Sequence, residues 1–398
     1  MNRTFDIVLF GATGFTGRLV AEYLARHAPA DVRVALAGRN KKKLEGIRSE
    51  IGKDWPIEVV DASDAAGLQQ LASRTKVVCT TVGPYAKHGL PLVEACAKEG
   101  THYCDLTGET QFMRDSIDRA NDTAKKSGAR IVHTCGFDSI PSDLGVQALS
   151  EVLGPMKRAT YVVVTAKGGF SGGTVASLLN GLDEAKADKS RRRILVDPYA
   201  LSPDRSKEPD LGDERDLTTA RFDEFTGQWV APFVMASINT RVVRRTNALL
   251  GYPYGRQFKY AEVIGTKTGP VGAIAAAGVT LGMGALFGGL MFGPTRKFVE
   301  SMLPKPGEGP DENQRKNGFL KIRMFGESEN GTKKSLVITG KGDPGYLLTS
   351  LLLGESALCL ARDDDKLPKT SGVLTPATAM GKVLRDRLVA AGMTFDVE

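Results

Sequence analysis

Three glycines follow the first apolar segment of this 398-residue chain, and their spacing suits the binding of a dinucleotide. They close the segment FDIVLFGATGFTG, after which leucine and valine recur at helical spacing in RLVAEYLARHA. Glycine lets the backbone approach a pyrophosphate, and the N–H groups at the start of a helix attract its negative charge. A strand, a glycine turn and a helix in this order predict a nucleotide site rather than an ordinary tight turn. The residues predicted to line it are Gly11, Ala12, Thr13, Gly14, Phe15, Thr16 and Gly17.

The residues after the second predicted strand indicate which dinucleotide binds. An acid that holds the ribose of NAD is expected there, but no carboxylate occurs between Val34 and Leu44. Arg39 and Asn40 stand there instead, followed by three lysines. A guanidinium can bind a 2′-phosphate with paired hydrogen bonds, so the pattern favours NADP(H) over a merely solvated basic helix start. Asp61, after the third predicted strand, is a candidate for the adenine side, although a helix N-cap explains an aspartate there equally well.

The ends of the fourth and sixth predicted strands carry the candidates for chemistry. In an open parallel sheet, ligands gather outside the carboxyl ends of the strands. The fourth strand is followed by TTVGPYAKHG and the sixth by CGFDSIPSD. A turn in the first of these segments is expected to lie beside the nicotinamide half of the cofactor. The predicted residues are Val82, Gly83 and Pro84 for the cofactor, and Tyr85, Lys87 and Asp138 for catalysis.

Composition and spacing exclude several other classes of protein. None of the nine tyrosines has a lysine four residues later, so the Tyr-x-x-x-Lys dyad of short-chain dehydrogenases is absent. The five cysteines form no C-x-x-C pair, which favours a reducing compartment and gives no zinc site. The formal net charge of +7 comes from scattered basic residues without an aromatic-interleaved patch, which argues against nucleic-acid binding.

Strand-like and helical segments alternate through the first 150 residues. Repeated βα units predict an α/β fold with a doubly wound parallel sheet of the Rossmann type. The predicted strands lie at 5–10, 32–37, 57–60, 76–82, 102–105 and 129–135. Beyond residue 150 helices are fewer, so a second, α+β domain with a mixed, largely antiparallel sheet is predicted. Its strand-like segments are 158–166, 231–243, 257–265, 319–327 and 334–341, with a hairpin turn signal at Asn330-Gly331.

Five motifs together resemble those of the saccharopine dehydrogenase-like oxidoreductases, and within them the trans-acting enoyl reductases. They are GATGFTG, AGRN, TTVGPYAKHG, YCDLTGE and CGFDSIPSDLG, all within the first 150 residues. The similarity continues more loosely through KGGFSGGT, PGEGP and LTPATAMGKVLRDRL. The resemblance implies an NADP(H)-binding Rossmann domain at 1–150 and an α+β substrate and dimerisation domain at 151–345. It also implies C-terminal helices at 346–398 that return to the Rossmann domain.

The resemblance further implies NADPH-dependent reduction of the C=C bond of an enoyl thioester, in trans on a polyketide synthase that lacks this step. Such a reaction needs a hydride at the β-carbon, donors for the developing enolate oxygen and a proton for the α-carbon. Backbone N–H groups of GFSGG (169–173) could be those donors or hold a phosphopantetheine, but a purely structural turn is equally compatible. The proton could come from Tyr85, Lys87 or water.

The segment GPVGAIAAAGVTLGMGALFGGLMFGP (269–294) contains 26 residues without a charge. Its length would suffice to span a membrane, but a single crossing would separate the chain before it from the chain after it. Three interpretations stay open: a buried or dimer-forming hairpin, a membrane-surface anchor, and a wall of an acyl channel. We expect a cytoplasmic homodimer that contacts the cytoplasmic face of a membrane peripherally. The rivals are an NADP-dependent reductase of another small or lipid carbonyl and a non-catalytic NADP(H)-binding membrane-associated protein.

Overall fold

Two seven-stranded sheets carry the fold, and the computed structural model describes residues 3–168, 172–303 and 309–398. The strands are β1 (Phe5–Phe10), β2 (Val34–Gly38), β3 (Ile57–Val59), β4 (Thr75–Thr80), β5 (His102–Asp105), β6 (Arg130–Val132), β7 (Met156–Lys167), β8 (Arg221–Asp223), β9 (Gln228–Pro232), β10 (Lys259–Gly265), β11 (Phe319–Ser328), β12 (Lys333–Lys341), β13 (Gly372–Leu374) and β14 (Thr394–Val397). The helices are α1 (Phe15–His27), α2 (Lys41–Ile51), α3 (Ala65–Ser73), α4 (Tyr85–His88), α5 (Leu90–Glu99), α6 (Thr110–Ser127), α7 (Ile140–Leu153), α8 (Gly172–Ala187), α9 (Lys189–Val196), α10 (Ala236–Leu249), α11 (Gly269–Met291), α12 (Gly293–Met302), α13 (Glu312–Lys316), α14 (Thr349–Arg362), α15 (Pro376–Ala379) and α16 (Gly381–Ala390).

The first sheet is parallel throughout and has the strand order β13-β6-β5-β4-β1-β2-β3. Its central strands β1 and β4 are buried along almost their whole length, which explains their continuous apolar sequences. The predicted doubly wound sheet is confirmed, and each of its six predicted strands is present within three residues of its expected ends. The seventh strand, β13, comes from the C-terminal part of the chain and pairs with β6.

The C-terminal helix α14 packs against α1, the helix that follows the glycine turn. A Cβ on Gly354 would lie 2.4 Å from Cδ1 of Tyr23, so glycine permits this close approach. Beside it, the hydroxyl of Tyr23 donates to Oε1 of Glu355 over 2.7 Å. Arg387 of α16 pairs with the other oxygen of Glu355, also at 2.7 Å. The carboxylate therefore links three helices from distant parts of the sequence.

The second sheet is mixed, with the order β14-β12-β11-β7-β10-β9-β8. Strands β7 and β10 pair in parallel, and the other pairs are antiparallel. The predicted hairpin is present, because β11 and β12 are joined by a turn in which Gly331 has a φ of +87°. The prediction of a mixed, largely antiparallel sheet is therefore confirmed.

The strand predicted at 231–243 is wrong, because β9 ends at Pro232 and α10 begins at Ala236. The β-branched residues of this segment suggested a strand, but its arginines recur at helical spacing and share one buried face. Arg241 donates to the carbonyl of Leu195 over 3.1 Å, and Arg245 donates to that of Leu201 over 2.6 Å. These contacts fix the end of α9 and the segment after it against α10.

Helix α11 contains most of the uncharged segment 269–294 and lies largely outside the core. Only 11% of its most apolar 18-residue window is buried, which rules out burial of this segment within the chain. The segment Pro344–Arg362 is also long and apolar enough to span a membrane, but 83% of its window is buried, as in the core helix of a globular protein. The two segments therefore differ in environment although both are long and apolar enough to span a membrane.

The chain divides into two compact units. The first comprises Met1–Ile140 and Gly345–Gly392, and it contains the parallel sheet. The second comprises Pro141–Pro344 and Met393–Glu398, and it contains the mixed sheet. The sequence analysis placed boundaries after residues 150 and 345 and assigned 346–398 to the first domain, whereas the compact units change after Ile140, Pro344 and Gly392.

Candidate cofactor and catalytic site

The glycine turn between β1 and α1 has no room for side chains at two of its three glycines. Gly11 has a φ of +92°, and a Cβ there would lie 2.7 Å from Cγ2 of Val82. A Cβ on Gly17 would lie 2.1 Å from the carbonyl oxygen of Gly11. The turn is closed by a 3.0 Å hydrogen bond from the N–H of Gly14 to the carbonyl of Gly11. Close packing within the protein therefore accounts for Gly11 and Gly17.

Gly14 differs from the other two glycines because a Cβ there would meet the described residues at no less than van der Waals distance. It is exposed, and a Cβ there would meet the protein only at the carbonyl oxygen of Gly11, at 3.4 Å. Gly14 is the N-cap of α1, which has neither a side-chain cap nor an acidic residue in its first turn. A helix N-terminus attracts negative charge. The turn therefore fits the pyrophosphate of a dinucleotide, which would lie against Gly14.

Exposed polar side chains lie after the ends of β2 and β3, and we call Arg39, Asp61 and His88 the polar corner. Arg39 and His88 are exposed there, and Asp61 accepts hydrogen bonds from the N–H and hydroxyl of Ser63 over 2.9 and 2.7 Å. The hydroxyl of Ser63 lowers the pKa of Asp61, and the charges of Arg39 and His88 lower it further. The N-cap of α3 is Asp64 rather than Asp61. Asp61 is thus an exposed carboxylate beside the predicted phosphate ligand.

The start of α2 makes the same corner favourable for an anion. Asn40 caps this helix, with its side-chain oxygen accepting from the N–H of Lys43 over 3.0 Å. The first turn holds three lysines and no acidic residue. Cations at a helix N-terminus oppose the helix dipole, so a bound phosphate would offset an unfavourable arrangement. Arg39, directly before the cap, is the residue that can reach such a phosphate with a guanidinium.

The turn after β4 is held by a buried carboxylate that the sequence analysis did not single out. Glu109 accepts hydrogen bonds from the N–H groups of Tyr85 and Ala86 over 2.9 and 2.8 Å. This fixes the start of α4 and the residues 82–84 before it. The signal was present in the sequence as YCDLTGE, the motif that ends in Glu109.

Tyr85, a predicted proton donor, is buried instead of lining an open site. Its hydroxyl donates to the carbonyl of Thr80 over 3.2 Å and accepts from the N–H of Leu106 over 3.3 Å. Burial raises the pKa of Tyr85 well above its usual value. This environment supports a structural role and argues against proton transfer. Lys87, the second candidate, is exposed on α4.

The loop after β6 is anchored to the end of β5 by Asp105, which is fully buried. Its carboxylate accepts from the hydroxyl of Tyr103 over 2.8 Å and from the N–H of Thr134 over 3.1 Å. Nδ1 of His133 lies 2.8 Å from Oδ2 of Asp105, and its Nε2 lies 2.8 Å from the hydroxyl of Ser116. These groups form a closed network beneath the loop that carries Asp138.

Asp138, the third catalytic candidate, has the environment of a carboxyl group that exchanges protons near neutral pH. It is half-buried, and burial raises its pKa to about 7, with the charge of Asp105 contributing. A Cβ on Gly136 would lie 2.9 Å from Oδ2 of Asp138, so the missing side chain leaves space for this carboxyl group. A group with such a pKa can act as a general acid.

The segment 346–349, which leads into α14, links the glycine turn to the loop of Asp138. The ring of Phe15 meets that of Tyr346 edge-on, with centroids 5.1 Å apart. Thr349, three residues further, accepts from the N–H of Phe137 over 3.1 Å. The two loops are therefore neighbours within the first unit. Sequence reasoning missed Tyr346 and Thr349, because they are more than 200 residues away in the chain and belong to no recognisable motif.

Part of the remaining predicted site is outside the described residues. This applies to residues 169–171 of the predicted donor stretch GFSGG, and α8 begins at Gly172. It also applies to residues 304–308, which include most of PGEGP. Within the described ranges, no group of three or more His, Cys, Asp or Glu side chains is arranged to hold a metal ion.

Comparison with known proteins identifies the family. Residues 7–132 match the saccharopine dehydrogenase NADP binding domain. The chain is 42% identical over 410 residues to the trans-acting enoyl reductase of Mycobacterium ulcerans (strain Agy99), covering 98% of this chain and 97% of that protein. A second relative, provisionally given the same name, comes from Mycobacterium tuberculosis (strain H37Rv) and is 48% identical over 413 residues, covering 99% and 97% of the two chains. The chain belongs to the trans-acting enoyl reductase family.

The fold of this family member is that of saccharopine dehydrogenase. The apo enzyme from Saccharomyces cerevisiae (L-Glu forming) aligns with a TM-score of 0.58 over 98% of this chain and 99% of that one. At 14% identity this likeness concerns the fold alone.

The chain is an oxidoreductase of this family, and its cofactor is NADP(H), because the matched region is an NADP-binding domain. That region contains the open glycine turn, the basic corner at Arg39 and the residues 82–84. The local geometry agrees with this cofactor, since an exposed glycine, an uncapped helix and a cationic helix start together suit its pyrophosphate and 2′-phosphate.

Replacement of Gly14 by alanine tests whether the pyrophosphate of NADPH lies against this residue. The backbone there has a φ of −74° and a ψ of 164°, which alanine adopts readily, so thermal unfolding should stay as in the wild type. The added methyl group would occupy the space of the phosphates, so NADPH affinity should fall roughly tenfold or more. Fluorescence titration with NADPH measures the affinity.

Two other glycines serve as controls. Gly46→Ala, in the middle of α2 with no atom near its Cβ, should keep NADPH affinity and raise stability by about 0.5–1 kcal/mol. Gly17→Ala should lower the unfolding temperature, because its Cβ meets the carbonyl of Gly11. Wild-type affinity in Gly14→Ala would show that the phosphates bind elsewhere.

Proposed function

We propose that the protein is an NADPH-dependent reductase of the C=C bond of an enoyl thioester, acting in trans on a synthase-derived lipid precursor. The observation that carries the proposal is the near-complete alignment with relatives named trans-acting enoyl reductase. The NADP-binding domain supplies the matching redox chemistry. The alternative is reduction of another small or lipid carbonyl by the same cofactor.

The chain's own residues would position the cofactor and supply a proton in this reaction. Bound NADPH supplies the hydride for the β-carbon of the substrate. The glycine turn would hold the pyrophosphate, Arg39 would hold the 2′-phosphate, and Asp61 with Asn40 would line the adenine side. Residues 82–84, fixed through Glu109, lie beside the nicotinamide half. A proton must then reach the α-carbon of the substrate.

Asp138 is the residue that we propose to deliver this proton. Its carboxyl group is half-buried and lies on the loop after β6. This loop contacts Thr349, and the glycine turn contacts Tyr346, three residues earlier in the chain. Its pKa of about 7 means that a large fraction is protonated at neutral pH. Lys87 is exposed and can bind an anionic part of the substrate, while the buried hydroxyl of Tyr85 supports the turn.

The substrate assignment is tested by following NADPH oxidation with crotonyl-type thioesters and analysing the product. We expect a saturated acyl thioester, and no turnover with the saturated thioester itself or with lipid aldehydes and ketones. Reduction of the carbonyl compounds alone would favour the alternative activity. NADPH binding without turnover of any of these compounds would instead indicate a non-catalytic role.

Arg39→Ala tests the recognition of the 2′-phosphate. Loss of a charge-assisted, paired hydrogen bond should weaken NADPH binding roughly ten- to hundredfold, while NADH binding stays unchanged. Titration of both cofactors against wild type and variant measures the difference. Lys53→Ala, an exposed cation just after α2, is the matched control and should alter neither affinity. An equal loss for both cofactors would remove Arg39 from the phosphate site.

Asp138→Asn tests the proton donor. The wild-type kcat should fall as pH rises through about 7, because the acid loses its proton there. The variant should turn over roughly a hundredfold more slowly, lack this pH dependence and keep its NADPH affinity. Tyr85→Phe should lower stability, since it removes two buried hydrogen bonds, but keep the pH profile. The reverse pattern would assign proton transfer to Tyr85.

Further properties belong to the same proposal. The enoyl group is carried as a thioester on CoA or on a carrier protein, and the enzyme is a cytoplasmic homodimer. The segment 269–294 makes peripheral contact with the cytoplasmic face of a membrane. Support for this contact is the exposure of α11, which is unusual for a helix of such apolar composition.

A further inference from the structure

Helix α11 is apolar along its whole length, yet most of its surface faces solvent. The exposed fractions of Val271, Ile274 and Leu281 are 64%, 74% and 73%. With 23 residues the helix is about 34 Å long. An exposed apolar surface of this extent is typical of a protein or membrane contact.

Helix α12 extends this surface at the C-terminal end of α11. The two helices pack closely, since a Cβ on Gly289 would lie 2.8 Å from Cγ2 of Val299. Phe292, Phe298 and Met302 remain exposed by 63%, 67% and 71%. We call α11 and α12 together, residues 269–302, the apolar hairpin.

A basic segment begins beside the C-terminal end of α11. Nζ of Lys186, at the end of α8, donates to the carbonyl of Met291 over 2.9 Å. Helix α9 begins three residues later and has no buried residue. The segment 186–193 contains five cations and one anion, and its Arg192 and Arg193 are exposed. The segment 186–193 therefore begins against the apolar hairpin and carries exposed cations.

The sheet topology shows that α11 does not cross a bilayer. Strand β10 before the hairpin and strand β11 after it both pair with β7. Both ends of the hairpin are therefore on the same side of any membrane. Helix α12 has 10 residues, about 15 Å, and is too short to return through a hydrocarbon core of about 30 Å. The hairpin can enter only one face of a membrane.

We infer that the apolar hairpin and α9 together dock on the surface of a bilayer that contains anionic phospholipids. The apolar side chains enter the boundary between headgroups and acyl chains, and the cations of 186–193 bind the headgroup phosphates. The inference rests on the proposed membrane contact of 269–294, and it adds the basic helix and the charge of the lipid. It does not depend on which substrate is reduced.

Charge complementarity distinguishes a lipid surface from a second copy of the chain. A second copy would bring the same cations of α9 to the interface, and like charges would repel. An anionic bilayer offers opposite charge beside apolar depth, which matches both parts of the surface.

Co-sedimentation of the full-length protein with vesicles tests the inference. One vesicle preparation contains phosphatidylcholine alone, and the other contains phosphatidylglycerol in addition. We expect binding to the anionic vesicles, weaker binding at high salt and little binding to the neutral vesicles. Arg192→Glu combined with Arg193→Glu should weaken binding by about tenfold or more, and Ile274→Ser combined with Leu281→Ser should also weaken it.

Matched controls separate local effects from general ones. Lys53→Glu with Lys98→Glu makes the same change in net charge on exposed residues elsewhere, and Val389→Ser removes an exposed apolar side chain elsewhere. These variants should bind vesicles as the wild type does, and NADPH titration checks that every variant is folded.

Three results would overturn the inference. They are no binding to anionic vesicles, equal binding to neutral vesicles, and equal losses in the control variants. A dimer that disappears in Ile274→Ser with Leu281→Ser, without vesicle binding by the wild type, would assign the hairpin to a second copy. NADPH oxidation with soluble thioesters is measured without vesicles, so failure of docking and failure of the proposed reduction are distinguishable.

Discussion

The candidate site depends on the hydrogen bonds of one buried carboxylate, that of Asp105. An ionisable group without access to water is unfavourable unless hydrogen bonds satisfy it. Asp105 meets this need with the hydroxyl of Tyr103, the ring of His133 and the N–H of Thr134. Thr134 has a φ of +59°, a conformation that a threonine adopts at a cost in free energy. The hydrogen bonds of Asp105 therefore stabilise the backbone conformation at Thr134, from which the loop that contains Asp138 continues.

The return of the chain to the first sheet provides the second constraint. The glycine turn and the loop after β6 come from opposite ends of the first 140 residues. The segment 346–349, which leads into α14, contacts both, through Tyr346 and Thr349. Because α14 itself is held by the glycine contact at Gly354 and by Glu355, its position is defined by packing against α1. A distant segment thus completes a site whose motifs are all N-terminal.

The features that could be predicted from the sequence are those that depend on neighbouring residues in the chain. Apolar runs and glycine turns predicted every strand of the parallel sheet except β13, which is three residues long and has no apolar run of its own. Arg39 and the missing carboxylate after the second strand predicted NADP(H), and the match to an NADP-binding domain confirms it. Local rules failed at α10, where β-branched residues concealed the helical spacing of the buried arginines. They also could not reveal the roles of Glu109 or Tyr346, because those roles consist of contacts between residues far apart in the chain.

Three aspartates show why residue type alone could not rank the catalytic candidates. Asp61 is exposed and hydrogen-bonded to Ser63, which lowers its pKa and keeps it ionised. Asp105 is fully buried, and its carboxylate is engaged by structural donors. Asp138 is partly desolvated, which raises its pKa toward neutrality. In sequence each of them simply lies at or after the end of a strand. Only the environment separates a carboxylate that lines a cofactor from one that holds a loop and from one that can release a proton.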